Sequence, residues 1–151
     1  LTIIGDTRRG FARKYPKIKT EILELITFEP KTTRQRAIEM LPNFDVGISC
    51  VPNLSENREM SPTKLSEYVC AGLAILATNN IPMQVDLLSK YKIGVLAEFS
   101  KNSIHKAVKN LKTDIDQYKN QSRIASNEFD YSNYFNIKTG CAFAILFKTK
   151  L

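Results

Sequence analysis

Short apolar runs alternate with amphipathic segments along most of the chain. The apolar runs stop at glycine, proline or polar clusters, which is typical of strands that lead into loops. They predict five strands, at residues 1–5, 21–28, 45–51, 73–77 and 93–96. Apolar residues at helical spacing predict six helices, at residues 8–15, 33–41, 61–72, 82–89, 103–111 and 117–127, with Thr32 or Thr33 as the cap of the second.

The clearest helix is the one at residues 61–72. Ser61 is a favourable N-cap, and Pro62 stands at the first helical position, where proline is preferred. Gly72 is well placed to end this helix in a left-handed conformation. Apolar residues at helical spacing predict one buried stripe, formed by Leu65, Tyr68 and Val69.

This order of elements predicts an α/β fold for one domain at residues 1–130. Residues 73–77 are apolar at every position, so we expect that strand to be covered on both faces, as in a parallel sheet. The fold class is therefore a parallel sheet with helices on both faces. Residues 131–151 are expected to form a C-terminal tail, and residues 129–147 contain six of the fourteen aromatic residues.

Length and composition exclude several classes of protein. With 151 residues, 43% apolar and 25% charged, the chain has the composition of a globular domain rather than a disordered one. The apolar run at residues 141–147 has seven residues, whereas a membrane-spanning helix needs about 20. The three cysteines lack metal-ligand spacing and no leader is recognisable, so we expect a cytoplasmic protein without a zinc site.

The net charge of +7 is unevenly distributed. Residues 7–20 contain six basic side chains and no acidic one, namely Arg8, Arg9, Arg13, Lys14, Lys17 and Lys19. Such a cluster suits a solvated helix face, an anionic membrane surface, a partner domain or a nucleic acid. Nucleic acid is disfavoured, because no aromatic stacking pattern, helix-turn-helix or zinc pattern accompanies the charge.

Candidate chemistry is concentrated in the loop at residues 52–60 and the helix that follows it. In parallel α/β sheets, ligands bind where strands end and helices begin. The free N–H groups at the start of that helix would suit a phosphate. Glu67 lies one turn after Thr63 on the same side, and its carboxylate could accept hydrogen bonds from sugar hydroxyls. Glu59 is a second acceptor, just before the helix.

The segment from Glu59 to Thr78, Glu-Met-Ser-Pro-Thr-Lys-Leu-Ser-Glu-Tyr-Val-Cys-Ala-Gly-Leu-Ala-Ile-Leu-Ala-Thr, closely resembles a known donor-binding motif. That motif belongs to retaining glycosyltransferases of the two-domain GT-B type, formerly called glycosyl transferases group 1. The order Leu-Thr-Ile-Ile-Gly-Asp at residues 1–6 and Asp-Val-Gly-Ile at residues 45–48 is similar to two strands of the same family. The resemblance extends to about residue 98 and implies a Rossmann-like fold that forms one half of a GT-B enzyme.

The resemblance implies a role for each matching residue. Glu67 would hold the ribose hydroxyls of a UDP- or GDP-linked sugar, and Glu59 would face the donor sugar as the catalytic residue. Residues near Phe28 and Glu29 would flank the base. The backbone of four residues at the helix start would cradle the sugar and the diphosphate: Ser61, Thr63, Lys64 and Leu65.

The family also implies a whole enzyme that transfers a hexose or a related sugar to a saccharide or lipid-linked acceptor. No metal or other cofactor is expected. Family members bind the diphosphate with an Arg and a Lys upstream of the segment matching residues 1–5, and the acceptor binds an N-terminal domain. Neither segment is in this sequence, which begins with Leu rather than Met, so we expect a piece of a longer protein that is inactive alone.

The sequence departs from the family pattern at Met60-Ser61-Pro62, where many members carry Phe-Gly, and at Thr7, where glycine is common. Three alternatives stay open for the tail: contact with the missing N-terminal domain, a peripheral position at the inner face of the membrane, or a helix over its own sheet. Alternative functions are a catalytically silent or interaction module of this fold, or an epimerase-like protein. The single histidine, His105, is expected at the surface, which argues against the epimerase.

Overall fold

The computed structural model describes residues 1–57 and 63–128, and the backbone of residues 144–147. The elements in these ranges, apart from two short 3-10 turns at Leu41–Asn43 and Ser55–Asn57, are β1 (Thr2–Ile4), α1 (Arg8–Lys14), α2 (Thr20–Glu24), β2 (Thr27–Glu29), α3 (Arg34–Met40), β3 (Val46–Ser49), α4 (Thr63–Cys70), β4 (Ala74–Thr78), α5 (Pro82–Tyr91), β5 (Gly94–Ala97), α6 (Lys101–Thr113), α7 (Ile115–Ser126) and β6 (Ala144–Phe147).

The described strands form one sheet in the order β2-β1-β6-β3-β4-β5. Strands β1 and β2 pair in parallel, and so do β3, β4 and β5. The predicted α/β class with Rossmann-like parallel pairing is therefore confirmed. Strand β6 is antiparallel to both of its neighbours, β1 and β3, and separates the two parallel groups.

Helices cover both faces of the sheet, as predicted. On β4, Ile75 and Ala77 pack into an apolar layer with α4, α5 and the second half of α7. Ala74 and Leu76 point to the opposite face and pack against α6. All five residues of β4 are buried, which explains why the run at residues 73–77 is continuously apolar rather than alternating.

The predicted strand at residues 21–28 is wrong in its first half. Residues Thr20–Glu24 form α2, and only Thr27–Glu29 pair with β1. Leu23 is buried, whereas Leu25 is 74% exposed, so the apolar residues do not alternate between two faces of a strand. The β-forming residue types misled the prediction because local propensity is weaker than the tertiary context.

Helix α4 is held tightly against β3 and ends as predicted. Tyr68 packs on Gly47 of β3, where any side chain would overlap the tyrosine ring. Leu65 and Val69 are both fully buried, which confirms the predicted stripe. Gly72 follows the helix with φ of 70°, a left-handed conformation that glycine adopts without a steric cost.

Helix α7 fastens the amino end of the sheet. Ser122 is buried, and its hydroxyl donates to the carbonyl of Leu73, just before β4, at 2.6 Å. Lys119 Nζ lies 2.7 Å from Asp45 Oδ1, just before β3. Beyond the helix, Glu128 accepts a hydrogen bond from the Tyr91 hydroxyl. Ser122 and Lys119 therefore join α7 to the amino end of the sheet.

Part of the C-terminal tail enters the sheet. Strand β6 pairs with both β1 and β3. The sequence pattern predicted that residues 93–96 form the last strand, and this prediction is wrong. The remainder of the tail, residues 131–143 and 148–151, lies outside the described residues. The predicted contact between residues 131–151 and a missing N-terminal domain stays a prediction.

Candidate functional site

The candidate site lies at the carboxyl edge of the sheet, where β2 and β3 end and α3 and α4 begin. Thr33 caps α3, because its hydroxyl accepts a hydrogen bond from the Arg36 N–H at 3.2 Å. That settles the choice between the two predicted caps in favour of Thr33. Each β-to-α connection delivers a helix N-terminus to the same edge, and such edges bind ligands in open α/β sheets.

Glu67 lies in this region and forms an ion pair with Arg34, the first residue of α3. Arg34 Nε donates to Glu67 Oε1 at 3.1 Å, and Nη2 lies 3.1 Å from the same oxygen. The two side chains are 25% and 23% exposed. Within the described residues no donor is bonded to Glu67 Oε2. The described contacts therefore fix the carboxylate through Oε1.

Three other predicted binding residues stand at the start of α4, and their exposures differ. Thr63 is exposed, Lys64 is half-buried and Leu65 is fully buried in the core. The side chain of Leu65 therefore has a packing role, and only its backbone could serve a ligand. Glu59 and Ser61 lie outside the described residues, so their predicted roles stay predictions.

A buried polar cluster that the sequence pattern did not predict joins the carboxyl ends of β3 and β4. The side-chain amide of Gln84, on α5, is 1% exposed. In the amide orientation that satisfies both ends of the side chain, its nitrogen donates to the carbonyls of Thr78 and Ser49, at 3.0 and 3.3 Å, and its oxygen accepts from the Ser49 hydroxyl at 2.8 Å. Thr78 Oγ1 accepts from the N–H of Val51 at 3.0 Å. These bonds fix the point where the loop toward α4 leaves the sheet.

The signal for this cluster was present in the sequence. Ser49 and Thr78 are polar residues at the ends of two apolar strands, and Gln84 stands in the first turn of the helix that follows β4. Buried polar groups must find partners, so polar residues at such ends are expected to bond to one another. Their separation of 35 positions between Ser49 and Gln84 hides the contact from any local pattern.

Asp6 occupies the carboxyl end of β1. Its Oδ1 accepts from the Thr7 N–H at 2.8 Å, and its Oδ2 lies 2.9 Å from Lys14 Nζ. These two contacts, chiefly the bond from Lys14, hold the pKa of the Asp6 carboxyl below its ordinary value. Asp6 is therefore fully engaged with α1, and it belongs to the scaffold of this edge.

A polar cleft of about 270 Å³ lies at the carboxyl end of β2. It is lined by Glu29, Pro30, Lys31, Thr32, Arg36 and Met40. Arg34 does not line it, because Arg34 and Arg36 are two positions apart on α3 and project in nearly opposite directions. Glu67, on α4, does not line it either. Phe28 packs on Phe11, with ring centroids 5.5 Å apart. Of the two residues expected near the base, only Glu29 therefore opens into this cleft.

Other features of the described residues concern histidine and cysteine chemistry, metal binding and membrane insertion. His105 is exposed on α6, as predicted. Burial raises the pKa of the Cys50 thiol to about 11, so this cysteine is protonated at neutral pH and is a poor nucleophile. Within residues 1–57 and 63–128, no group of three or more His, Cys, Asp or Glu could hold a metal ion. The same part of the chain contains no helix long and apolar enough to cross a bilayer.

Comparison with known proteins adds no assignment to this geometry. No protein-family model matches the sequence. No curated protein matches it either.

Proposed function

We propose that the chain is the nucleotide-sugar-binding domain of a retaining GT-B glycosyltransferase. The proposal is supported by the resemblance at residues 59–78 and by the position of Glu67 at the carboxyl edge of a Rossmann-like sheet. The single observation that carries it is the ion pair of Glu67 with Arg34, which holds an acceptor carboxylate at the edge where such folds bind ligands.

Glu67 suits the recognition of a ribose. A carboxylate is an acceptor only, so it selects ligands that present hydroxyl donors. Its side chain is 23% exposed, which leaves it accessible, while the pairing with Arg34 orients the carboxylate. A hydrogen bond to a charged group contributes about 1.5–3 kcal/mol, so two ribose hydroxyls on one carboxylate would give measurable affinity.

The start of α4 suits the diphosphate. The first N–H groups of a helix have no partner within the helix and carry the positive end of its dipole. The backbone of Ser61, Thr63, Lys64 and Leu65 would supply such donors. Tyr68 packs on Gly47 and so anchors α4 to β3, which would hold the N–H groups of Thr63, Lys64 and Leu65 in place before a ligand binds.

In the intact enzyme, the bond between the sugar anomeric carbon and the diphosphate oxygen breaks as the acceptor oxygen bonds to the same carbon. The electron pair of the broken bond goes to the diphosphate, where N–H donors stabilise the charge. The acceptor proton passes to a donor phosphate oxygen, which needs no protein base on this domain. Glu59 would face the donor sugar. The acceptor would bind mainly to a second domain, so the domain alone binds the donor without transferring it.

Calorimetric titration of the 151-residue chain with UDP and GDP tests the proposal. We expect weak binding of one of them, and Glu67→Ala should weaken it by roughly 10- to 100-fold through the lost hydrogen bonds. Glu39→Ala is the matched control, because Glu39 is an exposed glutamate on α3 that pairs with Arg36. The absence of binding at millimolar nucleotide, or equal affinities for the Glu67→Ala variant and the unaltered chain, would refute the proposal.

A further inference from the structure

The contact between Arg34 and Glu67 is asymmetric. Two nitrogens of the guanidinium, Nε and Nη2, approach one carboxylate oxygen, Oε1, each at 3.1 Å. A guanidinium and a carboxylate more often pair side by side, with one N–H for each oxygen. In this chain the pairing is concentrated on Oε1, and within the described residues Oε2 accepts no hydrogen bond.

We infer that Arg34 is a positioning residue that sets the preference of the site for a ribose over a deoxyribose. The inference rests on the proposed function. Arg34 holds Oε1 and thereby points Oε2 at the hydroxyls that the ligand presents. A glutamate without this contact would turn between several rotamers, and it would lose side-chain entropy each time it bound a hydroxyl.

The place of Arg34 in the fold supports a positioning role. It is the first residue of α3, directly after the cap Thr33, and Glu67 lies on α4, 33 positions further along the chain. Both helices start at the carboxyl edge; α4 is fixed by the buried packing of Tyr68 on Gly47, and α3 begins at the exposed Thr33 cap. The guanidinium fork is rigid and planar, so it transmits the position of α3 to the carboxylate.

The inference is tested by comparing ribose and 2′-deoxyribose nucleotides. Affinities of UDP and GDP, of their 2′-deoxy forms and of UMP and GMP are measured by calorimetry for the unaltered chain, Arg34→Met and Arg34→Lys. We expect the unaltered chain to prefer the ribose form by roughly 10-fold or more. Arg34→Met should reduce this preference to about threefold or less, and Arg34→Lys should retain part of it, since an ammonium can still donate to Oε1.

Lys119→Met is the matched control, because it removes the cation of an equally buried ion pair at the other end of the sheet. We expect it to leave the preference unchanged. NMR measurement of the exchange of the Arg34 Nε–H proton with water checks the contact without a ligand. This proton should be protected from exchange in the unaltered chain, and the protection should be lost in Glu67→Ala.

Each outcome distinguishes the two proposals. If no nucleotide binds the unaltered chain, the proposed function and this inference both fail. If the ribose preference exists and Arg34→Met preserves it, the inference alone fails. If Arg34→Met weakens ribose and deoxyribose forms equally, and diphosphates more than monophosphates, then Arg34 contacts phosphate and the positioning role is overturned.

Discussion

Two ion pairs of similar burial lie at opposite ends of the sheet. Arg34 and Glu67 are 25% and 23% exposed at the carboxyl edge, and Lys119 and Asp45 are 21% and 20% exposed at the amino edge. Their closest contacts, 3.1 Å and 2.7 Å, are both within hydrogen-bond distance. Burial and distance alone therefore do not tell which pair is structural and which could serve a ligand.

The surroundings of the two pairs differ. Lys119 belongs to α7, and so does Ser122, whose hydroxyl donates to the Leu73 carbonyl. Through these two contacts, α7 packs on the amino edge beside β3 and β4. Arg34 begins α3 and Glu67 lies one turn into α4, and both helices follow strands at the edge where open α/β sheets bind ligands. The position of the Arg34–Glu67 pair in the topology, rather than its strength, is therefore what makes it the candidate for a ligand.

The largest expected effect on stability concerns the amino edge. Ser122→Ala removes a buried donor and leaves the Leu73 carbonyl without its bond, which should lower the free energy of unfolding by about 1–3 kcal/mol. Urea unfolding followed by circular dichroism measures this loss. Ser126→Ala is the control, since its hydroxyl bonds to the Arg123 carbonyl near the surface. A Ser122→Ala variant as stable as the control would mean that α7 does not fasten this edge.

A smaller effect is expected when each ion pair is broken in turn. Lys119→Met and Arg34→Met should each lower the free energy of unfolding by about 1 kcal/mol or less, because partly exposed pairs contribute little. Both losses should shrink in high salt. Only Arg34→Met should change the ribose preference. A change in that preference for Lys119→Met as well would erase the distinction between the two edges.

The sequence was sufficient for the features that depend on local spacing. The strand at residues 73–77, the stripe on α4 and the left-handed Gly72 all follow from positions within one or two turns of each other. Local spacing failed at residues 20–24, where β-forming residue types occupy a helix. It also could not place β6, because residues 144–147 pair with strands about 100 or more positions earlier along the chain.

The candidate site was predictable only in part for the same reason. Glu67 and the start of α4 belong to a contiguous motif, so the sequence alone could propose them as site residues. Arg34 is an ordinary first-turn arginine in the sequence, and only the approach of α3 to α4 makes it a partner of Glu67. Gln84 likewise can be recognised as a partner of Ser49 and Thr78 only from the structure, which places β3 next to β4.

The smallest expected effect concerns a third ion pair, Asp6 with Lys14, which lies at the carboxyl edge and has a structural role. Its bonds lower the pKa of Asp6 in the folded chain. The unfolded chain therefore binds the proton more readily, and stability from this group is present above the ordinary value of 3.8 and is lost as the pH falls through the lower, folded pKa. Asp6→Asn should be less stable than the unaltered chain near pH 6, and the difference should disappear in strong acid.

Urea midpoints measured from pH 6 down to pH 2 check this sign. Lys14→Met should move the acid-induced loss of stability toward higher pH, because it removes the main cause of the lowered pKa. Glu39→Gln, an exposed change on α3, should leave the profile in place. If Asp6→Asn instead changed the ribose preference while its pH profile matched that of the unaltered chain, Asp6 would belong to the ligand site, and the carboxyl edge would contain two functional acids rather than Glu67 and a scaffold aspartate.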